Sequence, residues 1–201
     1  MTEREKMLAG KLYKASDAEL RRLSHQGHRL SRLYNETTEE DNDIRQAIIK
    51  KMFRFAGKGA YLEPPFHADY GVHTTVGDNF YANYDAIFVD VAAITIGDNV
   101  MLGPRVGLYT AGHPIDADIR NEQLEYGYPI TIGDNVWIGG NVVVNPGVTI
   151  GSNVVIGSGS IVTKDIPDNV VAVGNPAHVL RPITAEDQAK WAAQRAAYYG
   201  D

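Results

Sequence analysis

The chain has 201 residues and 22.0 kDa, with 22% charged residues, a net charge of -6 and a pI near 5.5. That length suits one domain with its own core, and the acidic balance supplies no field to hold nucleic acid or an anionic membrane surface. The absence of cysteine excludes a disulfide framework, a thiolate metal ligand and a cysteine nucleophile. Charge within MTEREKMLAG, and no apolar run near the ~20 residues of a membrane span, predict a soluble, cytoplasmic protein.

Residues 1 to about 57 read as a helical segment. Thr2 with Glu5, and Ser16 with Glu19, are spaced as capping boxes that open helices. After Ser16, Leu20, Leu23, Leu30 and Leu33 recur on one helical face. A third stretch opens near Asp43, carries Ile44, Ile48, Met52 and Phe55, and stops at Gly57. The apolar stripes of these helices are too small to stand alone and require a partner surface.

From about residue 76 the period becomes six. Aliphatic residues stand at Ile96, Leu102 and Leu108, then at Ile132, Ile138, Val144, Ile150, Ile156 and Val162. Small aliphatics follow four positions later at Val100, Val106, Val136, Val142, Val148 and Val154, and glycine follows directly at most steps. A hairpin strand repeats every two residues and a helix every 3.6, so period six fits neither. It fits a triangular coil of about 18 residues per turn whose sixth residues point inward and stack. Glycine and asparagine, as in Gly133-Asp134-Asn135, are expected at its corners for their backbone freedom. The coil is expected over 58–181, and a final helix over 182–201 is suggested by Thr184 with Asp187. Between Leu108 and Ile132 the pattern lapses in a polar excursion over 111–129 that contains His113.

The motifs MLAGKLY, FYANYD, GHPID, ITIGDNVWIGGNVVVNPGVTIG, IVTKDIP and GNPA run through nearly the whole chain. Together they make it similar to the hexapeptide-repeat sugar O-acetyltransferases, which include maltose and galactoside acetyltransferases. The resemblance implies a mainly β fold: a left-handed parallel β-helix of hexapeptide repeats with an N-terminal helical segment and a short C-terminal helix. That hand departs from the right-handed rule for parallel crossovers. It also implies acetyl-CoA as co-substrate, no metal, a small-molecule sugar acceptor, and a homotrimer with active sites between neighbouring subunits.

His113, in GHP, matches the family's catalytic histidine. A sugar hydroxyl is a poor nucleophile, and an imidazole can take its proton as it attacks the thioester. Asn83, in FYANYD, matches a position whose amide contacts substrate and steadies the developing oxyanion. Asp17 and Asp69 are candidate sugar binders, since carboxylates accept paired hydroxyl hydrogen bonds. Asp17 has a rival role in the first turn of a helix. Asp69 in HADYG follows the maltose branch, where the galactoside branch has serine, and Val91 stands where that branch has an acid. Both differences favour glucosyl acceptors such as maltose or glucose over galactosides. Trp137 offers a flat face to the pantetheine arm or the sugar. Gly140, Ser158, Thr163 and Lys164 match positions along the coenzyme groove, with Lys164 and Arg181 candidates for its phosphates. The family often has alanine at Ser158 and arginine at His178.

Other readings compete with this one. A metal-dependent lyase on the same coil needs three converging histidines, two of them close in sequence on adjacent edges. His25, His28, His67, His73, His113 and His178 offer no pair five apart on the coil. A non-catalytic solenoid that only binds partners has no need of the GHP loop or an uncovered tryptophan. Within the enzyme class, a galactoside, serine or an antibiotic is an alternative acceptor. With no cysteine, transfer is expected to be direct, without an acyl-enzyme.

Overall fold

The computed structural model describes residues 1–200. Helices α1 (Glu3–Leu8), α2 (Ala18–Asn35) and α3 (Asn42–Met52) precede a coil of short strands; α4 (Ala117–Asn121) lies in the excursion and α5 (Ala185–Tyr199) follows the coil. The coil is the expected left-handed parallel β-helix, with three faces. Its first face stacks Phe55–Ala56, Thr74–Val76, Ile94–Ile96, Ile130–Ile132 and Thr149–Ile150. The second runs from Tyr61–Leu62 through Tyr81–Ala82, Met101–Leu102, Trp137–Ile138 and Val155–Ile156 to an antiparallel pair, Val170–Gly174 with Ala177–Pro182. The third stacks Phe66–Ala68, Ala86–Val89, Gly107–Tyr109, Val143–Val144 and Ile161–Val162.

Every aliphatic of the six-residue period is buried. Ile96, Ile132 and Ile150 stack in one column, Leu102, Ile138 and Ile156 in a second, Leu108, Val144 and Val162 in a third. At ~25 cal/mol per Å² of apolar surface removed from water, these columns supply the main drive to fold. The valines four positions on are buried too, filling the interior at each corner.

The coil starts earlier than its period shows. Its first strand is Phe55–Ala56, paired with Thr75–Val76, so the boundary expected at 58 moves back to 55. Partners in the early turns are 20 residues apart (Phe55 to Thr75, Tyr61 to Tyr81), whereas Thr131 to Thr149 and Trp137 to Val155 are 18. The extra residues lie at the third-to-first corner, over 68–74 and 88–94, and throw the hexads out of phase. Phe55, expected inside α3, is exposed on the coil, and Leu33 and Ile44 face outward from their helices.

One local rule also differs from expectation. The Ser16–Glu19 box does not form; Asp17 is the N-cap of α2, its Oδ1 accepting the amides of Glu19 at 2.9 Å and Leu20 at 3.2 Å. The boxes at Thr2 and Thr184 do form. At the corners, asparagines and glycines both hold the left-handed conformation: φ is 55° at Asn99, 57° at Asn135 and 53° at Asn153, and 75° at Gly59, 82° at Gly147 and 75° at Gly159. Gly97 is required instead by closeness, since a Cβ there would lie 2.9 Å from the Gly133 carbonyl carbon one turn above.

Helices α2 and α3 close the base of the coil, where Leu30, Tyr34, Ile49, Met52 and Phe53 join Leu62 and Phe66 in the main core. A smaller cluster of Met7, Tyr13, Leu20, Tyr70 and Val91 docks the N-terminus on the third-to-first corner. The excursion is ordered: Ala111–Gly112 pairs antiparallel with Leu124–Gly127, which also pairs with Tyr13–Lys14.

Candidate active site

His113 follows Ala111–Gly112 directly, where the chain leaves the third face. Its ring is exposed and has no hydrogen-bond partner among the described residues. The loop around it is not slack. Asp116 caps α4 by accepting the Ile119 amide at 3.0 Å, and Arg120 donates to the carbonyls of Pro114 and Ile115 at 3.0 and 2.9 Å. An imidazole held by its backbone, with both nitrogens free, is available for proton transfer.

Asp69 lies one residue beyond the strand Phe66–Ala68, beneath the N-terminal half of α2. Its Oδ1 accepts the Ser24 hydroxyl at 3.1 Å and faces His28 Nε2 at 3.2 Å. It forms one end of a cleft of about 520 Å³ with His28, Arg32, Asn35, His67 and Ile87. Asp17 is committed to its capping bonds, which leaves its second oxygen for a ligand.

Asn83 lies at the opposite edge of the third face, in the turn between Tyr81–Ala82 and Ala86–Val89. Its Oδ1 accepts the Tyr84 amide at 2.8 Å, while its NH₂ has no partner among the described residues. Between the Asn83 corner and the corner that launches His113 runs the full width of a face, on the order of 15 Å at ~3.3 Å per residue. One chain therefore does not bring the two together. The coenzyme candidates divide in the same way. Trp137, 51% exposed, stands outward on the second face, Gly140 and Ser158 lie at the Asn83 corner, and Arg181 is on the antiparallel pair at the far end. Thr163 and Lys164 follow Ile161–Val162 at the His113 corner, both exposed. Lys164 makes no ion pair among the described residues, whereas Arg181 is closed bidentately on Asp187 at 2.7 and 2.8 Å. That pairing holds the Asp187 carboxyl well below the usual range.

Several residues around the site carry no periodic signal in the sequence. Glu125 accepts the Tyr13 hydroxyl at 2.8 Å, joining the excursion to the N-terminus. Burial, reinforced by Glu125, pushes the Tyr13 phenol up, and burial with Asp69 does the same to Tyr70. Ser24 and His28 reach Asp69 only because α2 crosses it at Gly27. Asp90, wholly buried at the same corner, had one visible clue: an acid within the apolar run Phe88 to Ala93. No group of three or more histidine, aspartate or glutamate side chains is gathered as a metal would require, among the described residues.

Two family models match the chain: a maltose acetyltransferase hexapeptide capping motif over residues 6–57 and six repeats of a bacterial transferase hexapeptide over 129–164. Galactoside O-acetyltransferase of Escherichia coli strain K12 is 46% identical over 188 residues, covering 94% of this chain and 92% of that one. The crystal structure of a maltose O-acetyltransferase from Clostridium difficile 630 is 55% identical, with a TM-score of 0.91 over 92% of this chain and 98% of that one. A galactoside acetyltransferase solved in complex with coenzyme A is 46% identical, with a TM-score of 0.91 over 94% of each chain.

Proposed function

The chain belongs to the hexapeptide-repeat sugar O-acetyltransferases of the maltose and galactoside type, and on that premise we propose that it transfers acetyl from acetyl-CoA to a hydroxyl of a glucosyl sugar such as maltose or glucose. His113 removes the hydroxyl proton as the oxygen attacks the thioester carbonyl, and Asn83 donates its NH₂ to the oxyanion. The tetrahedral intermediate then collapses with CoA as leaving group, and the imidazolium returns the proton to the thiolate. The observation that carries this is an unpartnered imidazole on a braced loop, matched to the family motif GHP. Asp69, and the free oxygen of Asp17, hold acceptor hydroxyls. Val91, packed between Tyr70 and the N-terminal cluster, presents no carboxylate where the galactoside pattern has one, which favours glucosyl acceptors. Trp137, Gly140, Ser158, Thr163, Lys164 and Arg181 line the coenzyme groove.

The site is completed by a second copy in a homotrimer. The Asn83 and His113 corners of one chain lie a face apart, and only corners of different chains can meet. Ile115, two residues beyond His113, is 96% exposed, as a side chain awaiting a partner surface would be. The test is CoA release from acetyl-CoA, read with a thiol reagent, for maltose, glucose, a galactoside, serine and no acceptor. Release driven by maltose or glucose supports the reading. Release driven by serine or the galactoside alone replaces the acceptor, and failure of acetyl-CoA to bind overturns the catalytic reading.

A further inference from the structure

The interior of the coil is apolar almost throughout, and apart from Ser160 its buried polar side chains collect at one corner. His73, Thr74, Asp90 and Thr110, all buried, gather at the third-to-first corner of the lower turns. Asp90 is the one buried acid among the described residues. Its Oδ1 accepts the backbone amides of Tyr70 at 2.8 Å and Gly71 at 3.0 Å, and its Oδ2 accepts the Thr74 hydroxyl at 3.1 Å and the His73 amide at 3.3 Å. Its carbonyl accepts from His73 Nδ1 at 2.7 Å. Every one of these bonds runs to residues 70–74, the turn that begins directly after Asp69. From outside, α2 presses on the same turn: a Cβ on Gly27 would lie 2.6 Å from the carbonyl oxygens of both Asp69 and Tyr70. Ser24 and His28, on either side of Gly27, bond the Asp69 carboxylate.

The carboxylate is a costly way to satisfy these donors, since burying its charge opposes folding even when it is fully bonded, although its removal would leave the 70–74 amides and the Thr74 hydroxyl unpaired. What the carboxylate supplies is a fixed backbone at a corner two residues longer than those above it. We propose that Asp90 is a positioning residue for the acceptor: it locks the 70–74 turn from inside the coil, so that Asp69 meets the sugar hydroxyls without reorganisation. The role rests on the sugar-acetyltransferase reading. It assigns a task to a side chain that touches neither substrate nor coenzyme.

The experiment compares wild type, Asp90→Leu, which keeps much of the volume and removes every side-chain bond, and Asp90→Asn, which keeps the oxygen that receives Tyr70 and Gly71. KM for maltose, KM for acetyl-CoA, kcat and Tm are measured for each. The expected result is a rise in maltose KM on the order of tenfold in the leucine variant, largely recovered in the asparagine variant. The acetyl-CoA KM stays within about twofold, because the side chain of Asp90 bonds only residues 70–74, low in the coil, whereas the coenzyme candidates lie in the turns above. An unchanged maltose KM in the folded leucine variant overturns the proposal, as does a parallel rise of both KM values that follows a loss in Tm. Should the leucine variant not fold, a maltose KM in Asp90→Asn raised about threefold at unaltered acetyl-CoA KM supports the role, and an unaltered one refutes it. If the wild type shows no sugar-driven CoA release at all, the acetyl-transfer reading has failed rather than the role of Asp90.

Discussion

His113 is free of structural duties, so His113→Ala should leave Tm within about 1 °C of wild type while lowering kcat by about 100-fold or more. A residue of structural importance would lose both together. Asp17 separates the same way. Asp17→Asn retains a good N-cap and should keep the wild-type Tm, whereas Asp17→Ala should destabilise by about 1 kcal/mol, read by urea denaturation. If only the alanine variant changes, and acceptor KM is constant in Asp17→Asn, Asp17 is a cap and no sugar ligand. Asp90 supplies a prediction in pH. Burial pushes its carboxyl up to about 6, against an ordinary 3.8, so the folded chain holds a proton that the unfolded chain releases between those values. Its charge therefore opposes folding above pH 6, and the opposition fades as pH falls toward 4. Burial keeps its neighbour His73 below its usual range, and Asp69 is common to both proteins compared. The stability of wild type relative to Asp90→Asn should thus rise by on the order of 2 kcal/mol from pH 7 to pH 4.5; a flat difference would show that the carboxyl titrates normally.

At the scale of elements, the hexads from Ile96 onward declare the coil because each turn there is three equal steps. The lowest turns were hidden, since two added residues per turn at one corner destroy the period that reveals the rest. The short strands of the excursion were illegible for a related reason: two-residue pairings such as Tyr13 with Glu125 leave no periodic trace. His113, Asn83 and Asp69 were legible through motif, but Ser24, His28 and Glu125 reach the site through tertiary crossing of α2 and pairing of the excursion. The glycines serve two ends. Some, such as Gly59 and Gly147, share the left-handed corner conformation with asparagines, whose side chains bond in a ladder from Asn79 to Asn99 at 3.0 Å and on to Asn135 at 3.3 Å, while those directly after the inward aliphatics are required by closeness to the next turn. Gly97→Ala should therefore destabilise through overpacking against the turn above, by about 1–3 kcal/mol in denaturant unfolding. A neutral outcome would mean that adjacent turns can separate at little cost.

For the whole molecule, the three faces differ in what they offer to water. The first presents Phe55 at its base and above it a column of Thr75, Thr95, Thr131 and Thr149, whose hydroxyls suit solvent. The second presents Tyr61, Tyr81, Met101, Trp137 and Val155, and the third Ile87, Val143 and Ile161 above His67, both largely apolar. Two largely apolar faces sharing the Asn83 corner, beside one bearing threonines, are what the proposed homotrimer requires: a neighbour on either side of that corner, with the threonines outward. In the proposed homotrimer, closed threefold symmetry would cover both apolar faces at once and set the Asn83 corner of each chain against the His113 corner of the next. A complementation experiment tests this arrangement. His113→Ala and Asn83→Ala are each expected to be nearly inactive as purified proteins. Unfolded together in equal amounts and refolded, they would form mixed trimers in which about one site in four draws Asn83 from one variant and His113 from the other. Recovery of about a quarter of wild-type activity, at a mass three times 22.0 kDa by light scattering, is the expected result. Sites built within single chains would give no recovery at any mixing ratio, because every chain would carry one defect or the other.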